Sequence, residues 1–153
     1  MLTVHDEVPR EDAEVVDVGL GAFNNAFAPL GDSRGFAVMA HMPEGPLVGG
    51  AVGRSWGTCC ELQQIWVDEA QRRQGVGGRL LLAFEQRARE RGCRTVYLET
   101  FSFQAPSFYQ LHGYEVALQI SGFTGEAIKY TLIKLLDAVV PARASGAEPR
   151  AER

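Results

Sequence analysis

The chain has 153 residues, which is the length of one ordinary domain. Its 46% of apolar and 22% of charged residues are normal for a globular protein, and no apolar run is long enough to span a membrane. The net charge of −4 is unevenly distributed, because residues 71–94 contain seven of the 15 basic side chains and only two of the 19 acidic ones. A single basic element in an acidic chain argues against a general nucleic-acid binder and leaves room for one anionic ligand.

The N-terminus and the cysteines indicate a cytoplasmic protein. The first residues are acidic and contain no apolar core of signal-peptide length. Cys59, Cys60 and Cys93 are too few for a disulfide framework, so we expect three reduced thiols. No histidine and no second cysteine pair stands at ligand spacing, so we expect no metal site.

The first half of the chain predicts a short strand, a helix and then three further strands. Residues 2–4 are expected to form a short first strand. Strands are also predicted at 35–42, 47–56 and 59–67, separated by turns rich in glycine and proline. Between the strand at 2–4 and the strand at 35–42, residues 9–27 predict an amphipathic helix. Apolar side chains recur there at steps of three and four: Ala13, Val16, Leu20, Phe23 and Phe27.

The second half changes to an alternation of helix and strand. An amphipathic helix is predicted from Val76 until Gly92 ends it, and a strand follows at 95–100. A right-handed crossover through this helix makes 59–67 and 95–100 parallel neighbours. The remaining segments are a short helix at 105–112, strands at 115–120 and 127–136 that complete a domain of residues 1–137, and an Ala/Pro/Arg-rich tail over 138–153.

Two expectations concern the direction of side chains. On strand 59–67, strict alternation places Glu61, Gln63, Ile65 and Val67 on one face. On the helix after it, the apolar stripe faces the core, and the arginines from Arg87 onward are expected to be surface charge.

A glycine-rich segment, Arg72-Arg73-Gln74-Gly75-Val76-Gly77-Gly78-Arg79, lies between that strand and that helix. Glycines let the backbone approach a ligand, and successive amides at a helix start bind an anion with help from flanking arginines. The segment therefore indicates diphosphate binding, with a glycine-rich turn before an ordinary helix as the alternative. It is not a Walker loop, because Arg79 and Leu80 follow Gly78, and it lacks the third glycine of a dinucleotide fingerprint.

Two motifs in order connect this segment to a family. Arg-x-x-Gly-x-Gly spans 72–77, and Phe108-Tyr109-Gln110-Leu111-His112-Gly113-Tyr114 follows one helix and one strand later. Together they resemble the acetyl-coenzyme A loop and the Phe-Tyr-x-x-x-Gly-Phe/Tyr signature of the GCN5-related N-acetyltransferase (GNAT) superfamily. The resemblance covers about residues 1–136. It implies a single α/β (α+β) domain whose central sheet is mixed, mostly antiparallel, of about six to seven strands with a splayed parallel pair, flanked by about four helices.

By the same resemblance, acetyl-coenzyme A is the co-substrate, and its pantetheine arm pairs with the strand that precedes the loop. The Val67 amide would donate to the thioester carbonyl and stabilise the oxyanion of a tetrahedral intermediate. Ala105 stands where the family's Asn-x-x-Ala-x-x-Phe-Tyr pattern has its Ala, whereas Ser102 replaces the Asn that usually hydrogen-bonds coenzyme A. The implied coenzyme-binding residues are Ile65, Trp66, Val67, Arg72, Arg73, Gln74, Gly75, Val76, Gly77, Gly78, Arg79, Ser102, Ala105, Phe108 and Tyr109.

Direct attack by an amine needs one proton donor and one proton acceptor. Tyr109 occupies the family's acid position, and a phenol with a pKa of about 10 can protonate a thiolate whose thiol has a pKa of about 8.5. Glu61, six residues before Val67, matches the base glutamate of the histone acetyltransferase branch. Glu99 on the next strand, or a water chain with no single base, is the alternative. His112 at a helix end is expected to cap the helix dipole.

The acceptor is expected to be a primary amine of a small molecule or a peptide. The acidic remainder of the chain favours a cationic amine. The candidate wall residues of its pocket are Phe23, Asn24, Phe27, Trp56, Phe103 and Phe123. The rival hypothesis is a non-catalytic acyl-coenzyme A binder that acts as a sensor or partner domain. Neither nucleic acid nor a membrane is an expected partner, and the sequence leaves a homodimer open.

Overall fold

The computed structural model describes residues 1–27 and 30–136 of the chain. None of the helices in this part is long and apolar enough to cross a membrane. The predicted tail over 138–153 lies outside the described residues. The elements in chain order are α1 (Arg10–Ala26), β1 (Arg34–His41), β2 (Leu47–Trp56), β3 (Cys59–Val67), α2 (Val76–Glu90), β4 (Thr95–Phe101), α3 (Pro106–Leu111), β5 (Glu115–Ile120) and β6 (Lys129–Leu135).

The six strands form one sheet in the order β1-β2-β3-β4-β6-β5. β3 and β4 pair in parallel, and α2 is the crossover between them, whereas the other four neighbouring pairs are antiparallel. The predicted α/β fold with a mixed, mostly antiparallel sheet and one parallel pair is therefore confirmed. The described residues contain three α-helices where about four were expected.

Residues 2–4 do not form the predicted first strand. Leu2 and Val4 are 99% and 94% exposed. A strand of three residues needs a neighbour that accepts its backbone hydrogen bonds and covers its apolar side chains, and this segment has neither.

Helix α1 forms where the spacing predicts it, but its apolar stripe does not join the core. Glu11 and Asp12 occupy its first turn, where they stabilise the positive end of the helix dipole. No residue of α1 is buried, and Phe23 and Phe27 are more than half exposed, with their ring centroids 5.3 Å apart. A three-and-four repeat determines that one helix face is apolar, but it does not determine what that face packs against.

The core lies between the sheet and α2. The stripe of α2 is buried as predicted, and it packs against inward side chains of β3, β4 and β6 that include Leu62, Leu98 and Leu132. A Cβ at Gly53 would lie 2.1 Å from the Glu61 carbonyl oxygen, so only glycine allows β2 to approach β3 so closely there. The buried stripe residues of α2 are Val76, Leu80, Leu81, Phe84 and Ala88.

Arg91 connects the end of α2 to β1 and β2 through hydrogen bonds, whereas its position in an arginine-rich run predicts surface charge. Its Nη1 donates to the Arg34 carbonyl at 2.8 Å and to Ser55 Oγ at 3.1 Å, and its Nη2 donates to the Gly35 carbonyl at 3.2 Å. The guanidinium also stacks over Phe36, 4.5 Å from the ring centroid. The residue after α2 thus fixes the start of β1, because a planar fork can satisfy several oxygens at once.

Glu85 is a fully buried carboxylate on α2. Lys134 Nζ on β6 donates to both of its oxygens, at 2.9 and 2.7 Å, and Arg89 lies 3.7 Å away. Burial, followed by the negative charge of Glu85, raises the pKa of the neighbouring Tyr114 hydroxyl. A charge buried in this way is tolerated only because it is paired, so the pair holds α2 on β6.

A bulge interrupts β3 in its middle. Leu62 pairs with Gly53 and Gln64 pairs with Val52, which leaves Gln63 as an extra residue on β3. A β-bulge bends its strand and increases the local twist, so β3 changes direction at this point.

The bulge also changes the face of the sheet to which the side chains after it point. Ile65 and Val67 pack against the core, as Leu62 does, whereas Glu61 lies on the opposite face of the sheet. The predicted common face of Glu61, Gln63, Ile65 and Val67 is therefore wrong, because strict alternation assumes that no residue is inserted.

Candidate active site

The parallel pair opens directly after the bulge. β3 and β4 are in register from Cys59 and Thr95 to Leu62 and Leu98, where their pairing ends. The opened space is a cavity of about 790 Å³, bordered by β3, the glycine loop, β4 and α3. It is lined by Gln63, Gln64, Ile65, Trp66, Val67, Arg72, Arg73, Gly75, Val76, Gly77, Gly78, Glu99, Thr100, Gln104, Ala105, Phe108 and Tyr109.

Main-chain groups of β3 face this cavity. The Asp68 N–H donates to the Val48 carbonyl at 2.9 Å, which sets the alternation of bonded and non-bonded pairs between β2 and β3. By that alternation the N–H groups of Ile65 and Val67 point away from β2, towards the gap that β4 has left. The open edge of β3 therefore offers two amides that the sheet does not use.

The glycine loop leaves the start of α2 uncapped. Gly75 precedes the helix with φ of +76°, and no side chain caps the helix there. The first bond of the helix runs from the Arg79 N–H to the Gly75 carbonyl at 3.1 Å. The amides of Val76, Gly77 and Gly78 thus have no partner inside the helix and point out at the positive end of its dipole.

Two arginines stand beside these amides. Arg72 Nε donates to the Val67 carbonyl at 3.1 Å, which holds the loop against the end of β3. Arg73 has φ of +63°, a left-handed conformation that aligns the backbone of the loop with the helix start. Both residues line the cavity, so an anion there would meet free amides and two guanidinium groups.

His112 joins α3 to the start of α2. Its Nδ1 donates to the Phe108 carbonyl at 2.8 Å, since a carbonyl oxygen can only accept, and this is the helix-end capping that its position predicts. A Cβ at Gly78 would lie 3.1 Å from His112 Nε2, so the absence of a side chain at Gly78 lets the ring pack there.

Tyr109 lines the cavity from α3. It is 7% exposed, and its ring packs edge-on against Phe108 and Tyr114 at centroid distances of 5.2 and 5.9 Å. Burial raises the pKa of its hydroxyl above the ordinary value of 10, with no charge or hydrogen bond contributing to the shift. The phenol is therefore protonated at neutral pH and can donate to a group placed in the cavity.

Five lining residues were absent from the predicted coenzyme-binding set, and one of them, Glu99, is the alternative base that the sequence suggests. Gln63 and Gln64 line the cavity because of the bulge, which no alternation pattern reveals. Glu99, Thr100 and Gln104 line it because β4 ends beside the gap, and their position next to the Ser102–Ala105 motif was the available signal. Glu99 and Thr100 are consecutive residues of β4 after the point where its pairing with β3 ends.

Three residues predicted to bind the coenzyme lie outside the lining. Gln74 Nε2 donates to the Ala70 carbonyl at 3.0 Å and so ties the glycine loop to the residues that precede it. Arg79 borders a second cavity of about 320 Å³ next to His41. Ser102 pairs with Ile128 on the approach to β6. The other residues of the predicted set line the main cavity.

Glu61 lies on the face of the sheet opposite α2, in the part of β3 that still pairs with β4. Its Oε2 accepts from Arg54 Nε at 2.7 Å, and its side chain is 22% exposed. It is not among the lining residues, whereas Glu99, two residues after its β4 partner Tyr97, is. Glu99 forms an ion pair with Lys129.

None of the six predicted acceptor-wall residues lines the cavity. Trp56 packs edge-on against Tyr97 and lies under the Arg54 guanidinium. The other five are Phe23, Asn24 and Phe27, which lie on or just after the exposed helix α1, and Phe103 and Phe123, which pack on the two sides of Phe101 at the end of β4.

Comparison with known proteins decides the family. Residues 6–114 match the model of the Acetyltransferase (GNAT) family. The chain belongs to this family. It is 38% identical over 102 residues to a blasticidin-S acetyltransferase from Streptomyces morookaense, covering 66% of this chain and 75% of that one. It is 29% identical over 109 residues to the acetyltransferase Atu2258 from Agrobacterium fabrum, covering 71% and 80% of the two chains.

Solved structures of acetyltransferases have a similar fold. A crystal structure of an acetyltransferase from Bacillus cereus superposes with a TM-score of 0.76 at 27% identity, covering 88% of this chain and 98% of that one. A nourseothricin acetyltransferase superposes with a TM-score of 0.57 at 26% identity, covering 68% and 65%. The GNAT-family chain described here is thus an acetyltransferase by family and by fold.

Proposed function

We propose that this GNAT-family chain transfers the acetyl group of acetyl-coenzyme A to a primary amine of a small molecule or a peptide. The observation that carries the proposal is the cavity at the open end of the β3–β4 pair. Free amides of β3 lie on one wall and Tyr109 on another, and the uncapped start of α2 lies at one end.

The residues present fit an acyl-coenzyme A. The amides of Val76, Gly77 and Gly78, with Arg72 and Arg73, suit the negative charge of a diphosphate. The unpaired edge of β3 suits an extended chain that contains amide groups, because such a chain can replace the hydrogen bonds of a missing strand. When bound, the coenzyme supplies the acetyl group as an activated thioester.

The chain's own groups have separate tasks in this transfer. The Val67 N–H donates to the thioester carbonyl oxygen and stabilises the negative charge that develops there. A bond forms between the amine nitrogen and the acetyl carbon, the carbon–sulfur bond breaks, and Tyr109 gives its proton to the leaving sulfur. A cationic acceptor loses two protons on the way to the amide. A carboxylate on the sheet face that carries Glu61 and Glu99 takes the proton that frees the lone pair of the nitrogen, and water takes the second after the nitrogen–carbon bond has formed. Solvent returns a proton to Tyr109.

Of these two carboxylates, Glu99 is the better placed to receive the first of the amine's protons, because it lines the cavity. Both carboxylates are ion-paired, Glu61 with Arg54 and Glu99 with Lys129, so pairing does not distinguish them. Glu61, the base implied by the histone acetyltransferase branch, differs in lying outside the lining. We therefore assign the base to Glu99, with Glu61 as the alternative that the same pair of variants tests.

The acceptor approaches from the face of the sheet that carries both carboxylates. The aromatic side chains of Phe101, Phe103 and Phe123 offer flat apolar surface beside it, and the acidic composition of the chain outside residues 71–94 favours a cationic amine. A relative with 38% identity is named for blasticidin S, which makes that compound the first acceptor to test.

The test is a panel of amines assayed with acetyl-coenzyme A, with blasticidin S, aminoglycosides and peptides included. Free thiol release is followed together with the mass of the product, which must gain one acetyl group. Turnover of one or more amines supports the proposal. Binding of coenzyme A without turnover of any amine would favour the non-catalytic sensor, and the absence of binding would contradict both.

A further inference from the structure

Ser102, which stands where the family's motif has an Asn, has no side-chain amide and does not line the cavity. Its N–H donates to the Ile128 carbonyl at 2.8 Å, and its Oγ accepts from the Ile128 N–H at 3.1 Å. Its N–H and one lone pair of its hydroxyl are thus used by the segment before β6, whereas the hydroxyl keeps its O–H donor. The site lacks an amide donor at the position where the family's motif has one.

Gln104, two residues later, carries such a donor. Its Oε1 accepts from the Phe101 N–H at 2.8 Å and from Thr100 Oγ1 at 3.1 Å. A main-chain N–H can only donate, so the oxygen and not the nitrogen of the side chain must face it, which fixes the orientation of the amide.

The nitrogen of Gln104 is therefore left for another partner. Nε2 makes no hydrogen bond within residues 1–27 and 30–136, and Gln104 lines the cavity together with Thr100 and Ala105. Two N–H donors on an amide whose oxygen is held by two bonds form a rigid donor pair at the end of β4. A donor held in this way loses little conformational freedom on binding.

We propose that Gln104 binds the pantetheine arm of the coenzyme through its Nε2 and so replaces the Asn that this chain lacks. The arm contains amide carbonyl groups, which are acceptors, and the open edge of β3 faces the same cavity from the other side. The arm is thereby held between main-chain groups of β3 and the side chain of Gln104. This inference rests on the proposed function, since it assumes that acyl-coenzyme A occupies the cavity.

The experiment compares two ligands on the full chain. Coenzyme A contains the pantetheine arm, and adenosine 3′,5′-bisphosphate has the nucleotide end without it. The variant Gln104→Glu keeps the oxygen that accepts from Phe101 and Thr100 but replaces both N–H donors by a second oxygen. The control is Gln110→Glu, the same chemical change on an exposed position of α3 outside the lining.

Calorimetric titration is expected to show that Gln104→Glu raises the Kd of coenzyme A about tenfold, as expected for one lost hydrogen bond and an unfavourable oxygen–oxygen contact. The Kd of the bisphosphate is expected to stay within about twofold of wild type, which also verifies that the variant is folded. Gln110→Glu is expected to change neither value.

Two results would overturn the inference. An unchanged Kd for coenzyme A in Gln104→Glu would show that the arm makes no contact with Nε2. Equal weakening of both ligands would place the effect at the nucleotide end or in the fold. Failure of the wild-type chain to bind coenzyme A is a separate result, because it contradicts the proposed function before any variant is compared.

Discussion

Arg54 Nε donates to Glu61 Oε2 at 2.7 Å across β2 and β3, on the face of the sheet that α2 does not cover. This ion pair holds Glu61 in the closed part of the β3–β4 pair, while Glu99 lies where the pair has opened. The two carboxylates therefore differ in access to the cavity although both face the same side of the sheet.

The first prediction uses this difference. Glu99→Gln is expected to lower kcat/KM for the acceptor amine by about a hundredfold, the usual effect of losing a general base, and Glu61→Gln by less than about tenfold. Steady-state kinetics with saturating acetyl-coenzyme A measures both. The reverse order of the two effects would return the base role to Glu61, and small effects in both would favour a water chain.

The second prediction concerns Tyr109 as the acid. Tyr109→Phe is expected to lower kcat about a hundredfold or more and to leave the Kd of coenzyme A nearly unchanged, because the ring packing is kept and only the proton is lost. Tyr97→Phe is the matched control, since it makes the same chemical change at a tyrosine of β4 that does not line the cavity. Near-normal turnover in Tyr109→Phe would remove the acid role.

The third prediction is the pH dependence that follows from the burial of this tyrosine. Burial raises the pKa of Tyr109 above 10, so the protonated, donating form persists as the pH rises to at least that value. The kcat of the wild-type chain is therefore expected to show no alkaline fall from Tyr109 below about pH 10. A fall near pH 8 that is absent from Tyr109→Phe would mean that the hydroxyl ionises more readily than its burial allows.

The fourth prediction tests the glycine loop by backbone strain. Gly75 and Gly57 have φ of +76° and +54°, and a Cβ at either position would meet no atom within 4 Å. Alanine at either position is thus expected to destabilise the fold by about 1–2 kcal/mol through strain alone. Only Gly75→Ala is expected to weaken coenzyme A binding, since Gly57 lies in the β2–β3 turn. Thermal unfolding and calorimetry measure the two effects, and equal binding by both variants would contradict the anion site.

The fifth prediction concerns the buried pair of Glu85 and Lys134. Lys134→Met is expected to lower the free energy of unfolding by about 3–5 kcal/mol, because it leaves a buried carboxylate without its main partner. Adding Glu85→Gln to it is expected to recover part of that loss. Arg87→Met, which breaks an exposed pair with Glu90, is expected to change stability by less than about 1 kcal/mol. Urea unfolding distinguishes these cases, and a small effect of Lys134→Met would show that the pair is solvated.

The sequence determined the order and type of most elements and the family. The helix stripe of α2, the turns of the β1–β3 meander and the two motifs depend on spacing along the chain, and spacing is what periodicity measures. The glycine loop (72–79) and Tyr109 were also predicted, from two motifs and their order along the chain. Most of the residues predicted to bind the coenzyme line the cavity. These features are local, so the residues that form them are also the residues that reveal them.

Only the tertiary structure decided which faces and partners these elements use. The extra residue Gln63 turns Ile65 and Val67 towards the core and separates Glu61 from the cavity, and an insertion in a strand leaves no mark in an alternating pattern. Glu85 is buried because Lys134, far away in sequence, pairs with it, and Arg91 is held against β1 by oxygens of Arg34, Gly35 and Ser55. Gln104 is a candidate coenzyme-binding residue because Thr100 and Phe101 hold its side-chain oxygen and leave its nitrogen free to donate. In each case a contact between distant segments, or an irregularity in pairing, sets the direction of a side chain, and neither is encoded by residue spacing.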